Sequence, residues 1–271
     1  MENTFLLAQP QNNRLRKILD LMTNVMPIGM IFNVSKKVDY FDLIVVLDRH
    51  CTYVSKSIDV LMEPALLRFS NCVYSLHTFS SVSQQIQGGN LFYCTVCVPE
   101  NVIYKTEATT LQLPFNSQVF KQQVLSYHRA FEKEMEIGKQ FLNGAVWYIE
   151  RKILGLATFM LHQATELVYR SFLSALGDKV VRTHDLNQLR KYLQRFVPEI
   201  LGVFDEDEMM ETRLLSLLEK AYCDARYHAL YQISFARVNK LLEGVKRLHE
   251  RAIAAHNNQM FSWTGNLEIE L

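Results

Sequence analysis

Spaced four apart, Thr158, His162, Glu166 and Arg170 place an imidazole, a carboxylate and a guanidinium on one stripe of a helix. Two readings are open: a satisfied network or solvent-facing seam with Glu166 paired to Arg170, or a groove for a ligand or partner. The first carries more weight. A second concentration of polar aromatics, acid and base runs from Tyr222 to Tyr231, through Asp224, Arg226, Tyr227 and His228. An Arg at a helix C-terminus complements the dipole, and tyrosines bury rings while keeping a polar tip. The candidate ligand-binding residues are therefore His162, Glu166, Asp224, Arg226, Tyr227 and Tyr231, against an equal alternative in which Arg226 only braces the turn into the next helix. A third group, Arg237, Lys240, Arg247 and Arg251, shares one stripe and could meet several phosphates. Solvated surface ranks ahead of recognition there, because Glu243 and Glu250 dilute its field.

Metal chemistry finds little support. The five cysteines, at 51, 72, 94, 97 and 223, are an odd number and make no disulfide framework, so reduced thiols are expected. Cys94 and Cys97 form a CxxC, but residues 91–98 read as a strand, on which positions three apart face opposite sides and cannot chelate one ion. No cofactor and no metal are expected.

The elements that must position these groups change character near Pro114, which predicts two domains, 1–114 and 115–271. In the first, Leu15, Ile18, Leu19, Met22 and Met26 share the face of a helix over 12–26. Strands are predicted at 28–34, 41–47, 72–78 and 91–104, with a helix at 80–87 ending in Gly88 and Gly89. Residues 41–47 are nearly all apolar, which predicts a central strand covered on both faces and a small α/β domain with mixed pairing. In the second domain helices are predicted at 117–142, 147–176, 184–196, 206–225 and 234–256. The second of these is apolar over most of its circumference and belongs at the centre of a bundle. Gly177 is expected to end it, Asp185 to charge the next helix's first turn, and Ser234 to cap the last. The fold class is thus α+β, a small mixed-sheet domain followed by an all-α bundle.

Composition bounds the function. The chain has 271 residues, 49% hydrophobic and 21% charged, with a formal charge of +1, so it is globular and lacks a global pull toward nucleic acid or anionic membrane. Without a run long enough to cross a bilayer or a signal-peptide pattern at Met1 to Gln11, a cytoplasmic protein with no membrane partner is expected.

Phe159 to Leu167 (FMLHQATEL), Arg182 to Leu186 (RTHDL) and Asp224 to Tyr227 (DARY) resemble, in order, the landmarks of the HEPN domain (higher eukaryotes and prokaryotes nucleotide-binding). The resemblance covers about 117–256 and implies an up-and-down helical bundle, frequently a homodimer. Such bundles often follow a minimal nucleotidyltransferase domain, and residues 1–114 resemble a degenerate one. A working enzyme of that kind needs a Gly-Ser turn after the first strand and three carboxylates for magnesium. Here the strand ends Met30-Ile31-Phe32-Asn33-Val34-Ser35, and the dyad position reads Tyr40-Phe41-Asp42, leaving Asp42 as a vestigial metal residue. Many HEPN domains are metal-independent ribonucleases with an Arg and, after four to six intervening residues, a His. After Arg226 that window holds Tyr231, Gln232 and Ile233. Arg251 with His256 fits the spacing but lies outside the motif's usual place.

The expectation is therefore a non-catalytic regulatory or interaction protein, homodimeric, binding nucleotide, RNA or a protein partner. The alternatives are a ribonuclease using Arg226 with Tyr231 or His228, and residual nucleotidyl transfer.

Overall fold

The computed structural model describes residues 13–35, 39–51, 69, 71–106, 116–176, 183–205, 207–227 and 232–265. The chain divides into two compact units, 1–120 and 121–271, with the cut in the first turn of a long helix.

In the first unit, helix α1 (Asn13–Val25) buries Ile18, Leu19 and Met22, the stripe its periodicity predicts. Strands β1 (Ile28–Asn33), β2 (Phe41–Leu47), β3 (Cys72–His77) and β4 (Val102–Lys105) form one sheet in the order β3-β2-β1-β4. β1 is antiparallel to β2 and β4, and β2 is parallel to β3, so the sheet is mixed. Every residue of β2 is buried because alternate side chains serve two cores. Phe41, Leu43, Val45 and Leu47 pack with the α1 stripe, while Ile44 and Val46 pack with Val82 and Ile86 of α2 (Phe79–Gln87) and with Val96 and Cys97 at the end of α3 (Leu91–Val96).

The strand predicted over 91–104 is corrected. Its first six residues are the helix α3, because the Asn90 side chain accepts from the Tyr93 amide (3.3 Å) and Thr95 turns its hydroxyl back to the Leu91 carbonyl (2.8 Å). A Pro-initiated 3₁₀ turn, Pro99–Asn101, then leads into β4. The CxxC is therefore not on a strand. Cys94 lies on α3 and Cys97 caps its end; both pack into one apolar cluster. Burial pushes their thiols up, to about 11 and about 12. Among the described residues no group of three or more metal-ligating side chains occurs.

The second unit is helical. α4 (Ser117–Glu150) runs past the predicted end at 142, and α5 (Leu154–Leu173) starts later than predicted, so Trp147 belongs to α4. The break falls at Arg151 and Lys152, the latter at φ 60°. α6 (Leu186–Phe196) is capped by Asp185, whose side chain accepts from the Gln188 amide (3.0 Å). α7 spans Glu208–Tyr227, and α8 spans Phe235–Gly265, continuing beyond the predicted end at His256. The expected role of Gly177 falls outside the described residues. α5 packs against α6, α7 and α8, and Phe172 on α5 meets Phe131 on α4 edge-on. Ala157, Leu161, Ala164, Val168 and Phe172 on α5 are fully buried inside the bundle, while Leu156, Phe159, Met160 and Leu167 stay partly exposed. Gly244 on α8 permits a close approach, since a Cβ there would sit 2.3 Å from the ring of buried Phe204. No helix is long and apolar enough to cross a membrane among the described residues.

Candidate functional site

Glu166 is the centre of the polar ladder on α5. It is 5% exposed, and each carboxylate oxygen is engaged. Arg170 Nε, one turn further on, donates to Oε1 at 2.7 Å, and Gln163 Nε2 donates to Oε2 at 3.3 Å. His184, from the segment before α6, brings Nδ1 to 3.0 and 3.1 Å of the two oxygens. Arg170 Nη2 also donates to the Thr183 carbonyl at 2.6 Å, so the same guanidinium holds the segment that carries His184. Charge-assisted bonds of this kind offset the cost of burying a carboxylate.

His162 is fully buried, and its Nδ1 lies 3.9 Å from Glu166. Gln163 Nε2, which can only donate, sits 3.1 Å from that nitrogen, so Nδ1 is an acceptor and the contact to Glu166 is not an ion pair. Thr158, the first rung, returns its hydroxyl to the Leu154 carbonyl (2.8 Å) and stays within its own helix.

Tyr222 on α7 closes one side. Its ring stacks on His184 (centroids 4.8 Å, 21°) and lies tilted against His162 (4.9 Å, 37°). The network therefore ends in a half-open pair: Tyr222 is partly buried, while the His184 side chain is 56% exposed. With Nδ1 turned to Glu166, His184 leaves Nε2 free of that contact on a solvent-reaching ring.

Of the candidate residues, His162 and Glu166 are brought together. Asp224 is partly buried two residues beyond Tyr222. Arg226 and Tyr227 lie in the last turn of α7 with side chains outside the described residues, as do all of His228 and Tyr231. His184 and Gln163 do not figure among the sequence candidates, whereas Arg170 stands on the predicted ladder, paired to Glu166 in one of its two readings, and Tyr222 opens the second polar segment. A signal for His184 existed, since it stands inside the Arg182 to Leu186 landmark, but only folding sets it against Glu166.

The basic stripe on α8 is partly engaged. Arg247 donates from Nε to the Val203 carbonyl (2.9 Å) and from Nη2 to that of Phe204 (3.1 Å), bracing the approach to α7, and Lys240 pairs with Asp205. Arg237 and Arg251 are exposed. In the first unit Asp42 is buried on β2, its amide donating to Asn33 Oδ1 (3.2 Å). Burial, and then the charge of Asp42, push the Cys72 thiol up to about 11.

An all-α bundle organised around one buried carboxylate that faces an imidazole and a guanidinium defines a helical module with a polar cluster at one side. Residues 131–255, from Phe131 on α4 to Ala255 on α8, match the family model of the HEPN domain. The match lies within the helical unit and does not reach residues 1–130. No curated protein matches the chain.

Proposed function

We propose that the helical unit holds a nucleotide, free or within RNA, without transforming it. One observation carries this reading: Arg170 and His184, the basic groups of the cluster, both end on the same Glu166 carboxylate. A guanidinium so tied is a fixed part of the wall, and the partly exposed Tyr222 and His184 rings form the surface that is left for a base. Base stacking on an aromatic ring contributes about 1–3 kcal/mol. Anisotropy titration of a labelled oligoribonucleotide and of a labelled ATP tests this. Tyr222→Ala is expected to weaken binding roughly 5- to 150-fold. Equal affinity in wild type and variant refutes the assignment of the site.

The N-terminal unit fits a nucleotidyltransferase-like domain that has lost transfer activity, since Asp42 is alone at the dyad position and two-metal chemistry needs paired acids. Magnesium-dependent labelling from ATP that disappears in Asp42→Ala would overturn that.

A second reading is favoured by a specific observation. An exposed imidazole whose Nδ1 rests on a buried carboxylate is the arrangement of a general base. A metal-independent ribonuclease using Arg226 would then draw its imidazole from His184 and not from the empty window after Arg226. RNA cleavage in the presence of a chelator, lost in both His184→Ala and Arg226→Ala, would establish this reading over binding alone.

A further inference from the structure

Strand β3 carries a hydroxyl and an imidazole on one face. Ser75 and His77 stand two apart, and in the parallel ladder they lie opposite Ile44 and Val46 of β2, whose side chains pack under α2 and α3. His77 Nε2 is 2.9 Å from Ser75 Oγ. The other ring nitrogen, Nδ1, is 3.4 Å from the hydroxyl of Tyr93 on α3, and the Tyr93 ring meets the imidazole edge-on (5.7 Å, 87°). A hydroxyl, an imidazole against it and a third group on the far ring nitrogen are the parts of an activated nucleophile. The three residues come from two elements, so packing and not sequence spacing assembles them. β3 is the end strand of the four, and Ser75, His77 and Tyr93 are all partly exposed, so the group is not sealed into the core. Its neighbourhood is apolar. Phe92, 5.3 Å from the Tyr93 ring, and Phe79, at the start of α2, are partly exposed side chains packed on the cluster beneath them.

We propose that Ser75, with His77 as its general base, is an acyl-accepting nucleophile whose substrates are esters of apolar carboxylic acids. The pair works in the tautomer with the proton on Nδ1, where the Tyr93 oxygen accepts it and Nε2 is left to accept from Ser75. Ser75 Oγ then bonds to the ester carbonyl carbon while its proton passes to Nε2, and that proton follows the alcohol as the ester C–O bond breaks. Water reverses the sequence: it gives a proton to Nε2, its oxygen takes the acyl group, and the proton returns to Ser75. Tyr93 touches only the imidazole and is a positioning residue. Phe79 and Phe92 supply the apolar surface for the acyl chain. General-base assistance of this kind is worth about 10²- to 10⁴-fold in rate.

Treatment of the full chain with an alkyl fluorophosphonate, followed by peptide mass mapping, tests the nucleophile, because fluoride leaves as Oγ bonds to phosphorus. Ser75 should be modified, and Ser80, an exposed serine whose hydroxyl meets that of Thr78 (3.2 Å), should not. His77→Gln should slow modification at least about 100-fold with an unchanged circular dichroism spectrum. Tyr93→Phe should lower its maximal rate about 2- to 10-fold and leave the half-saturating concentration of the reagent unchanged. With para-nitrophenyl hexanoate, wild type should release a burst of nitrophenolate matching the protein present, and Ser75→Ala should release none. Equal modification of Ser75 and Ser80, an unchanged rate in natively folded His77→Gln, or a burst that survives in Ser75→Ala would overturn the proposal.

Discussion

Acidification should unfold the helical unit well above the pH at which most carboxylates protonate, and two buried histidines on α8 set the magnitude. His249 and His256 are 8% and 2% exposed. His249 Nε2 and His256 Nδ1 are buried with no hydrogen-bond partner among the described residues. His249 sits against α4 where Gly138 leaves room, a Cβ at that glycine lying 3.1 Å from its Cε1. His256 is stacked on Phe131 (3.7 Å, 3°) and bonded through Nε2 to His128 Nδ1 (2.9 Å), whose other nitrogen faces Glu132 at 3.6 Å. Burial pushes both groups down to about 4 from the usual 6.5, with His128 adding to the effect at His256. The unfolded chain therefore binds more protons than the folded one between those values. The stability these groups contribute is complete above about pH 6.5 and is lost as pH falls toward 4. At about 1.4 kcal/mol per pKa unit, each histidine accounts for roughly 3 kcal/mol, and the pair for roughly 6. For urea slopes of about 2 kcal/mol/M, the midpoint should fall by about 3 M between pH 7.5 and pH 4.5. Trp263, 5.4 Å from Tyr127 in the same cluster, reports the transition by fluorescence. His256→Phe keeps the stack on Phe131, removes one titration and should remove about half of the pH dependence. A midpoint that moves by less than about 0.5 M in wild type, or a slope unchanged in His256→Phe, would refute the reasoning.

Three further outcomes follow from the packing. Glu166→Gln leaves Arg170 and His184 without their shared anion and should destabilise the unit by about 3–5 kcal/mol in urea melts; a loss below about 1 kcal/mol would mean the network contributes little. Gly244→Ala drives a methyl group into the Phe204 ring and should cost about 1–3 kcal/mol, against near neutrality if the loop carrying Phe204 simply moves aside. In the native protein a thiol reagent near neutral pH should modify exposed Cys223 well before Cys94 and Cys97, whose burial keeps them protonated, and equal rates would show that the α3 cluster opens readily.

Much of the framework was legible because it depends on periodicity. The α1 stripe, the two-sided burial of β2 and the central place of α5 each follow from apolar spacing that only one secondary structure can bury. What failed did so where a local competitor beat a propensity. The β-branched and aromatic run at 91–96 reads as a strand, yet one Asn side chain at its head and one Thr hydroxyl within it turn it into a helix. The α4–α5 boundary was placed between 142 and 147, yet α4 runs on through Gly144 to Glu150, and Lys152 makes the turn instead.

The site divides in the same way. His162, Glu166 and Arg170 were visible as neighbours because four-residue spacing on a helix fixes adjacency in the sequence itself. His184 reaches Glu166 from eighteen positions away, and Tyr222 comes from another helix altogether, so no local pattern ties them to that carboxylate. The sequence alone determined which residues share a helix face and how many charges the chain carries, since these depend only on order and composition. Tertiary structure alone decided that one buried anion gathers the guanidinium and the imidazole, because that pairing is set by how α5, α6 and α7 pack.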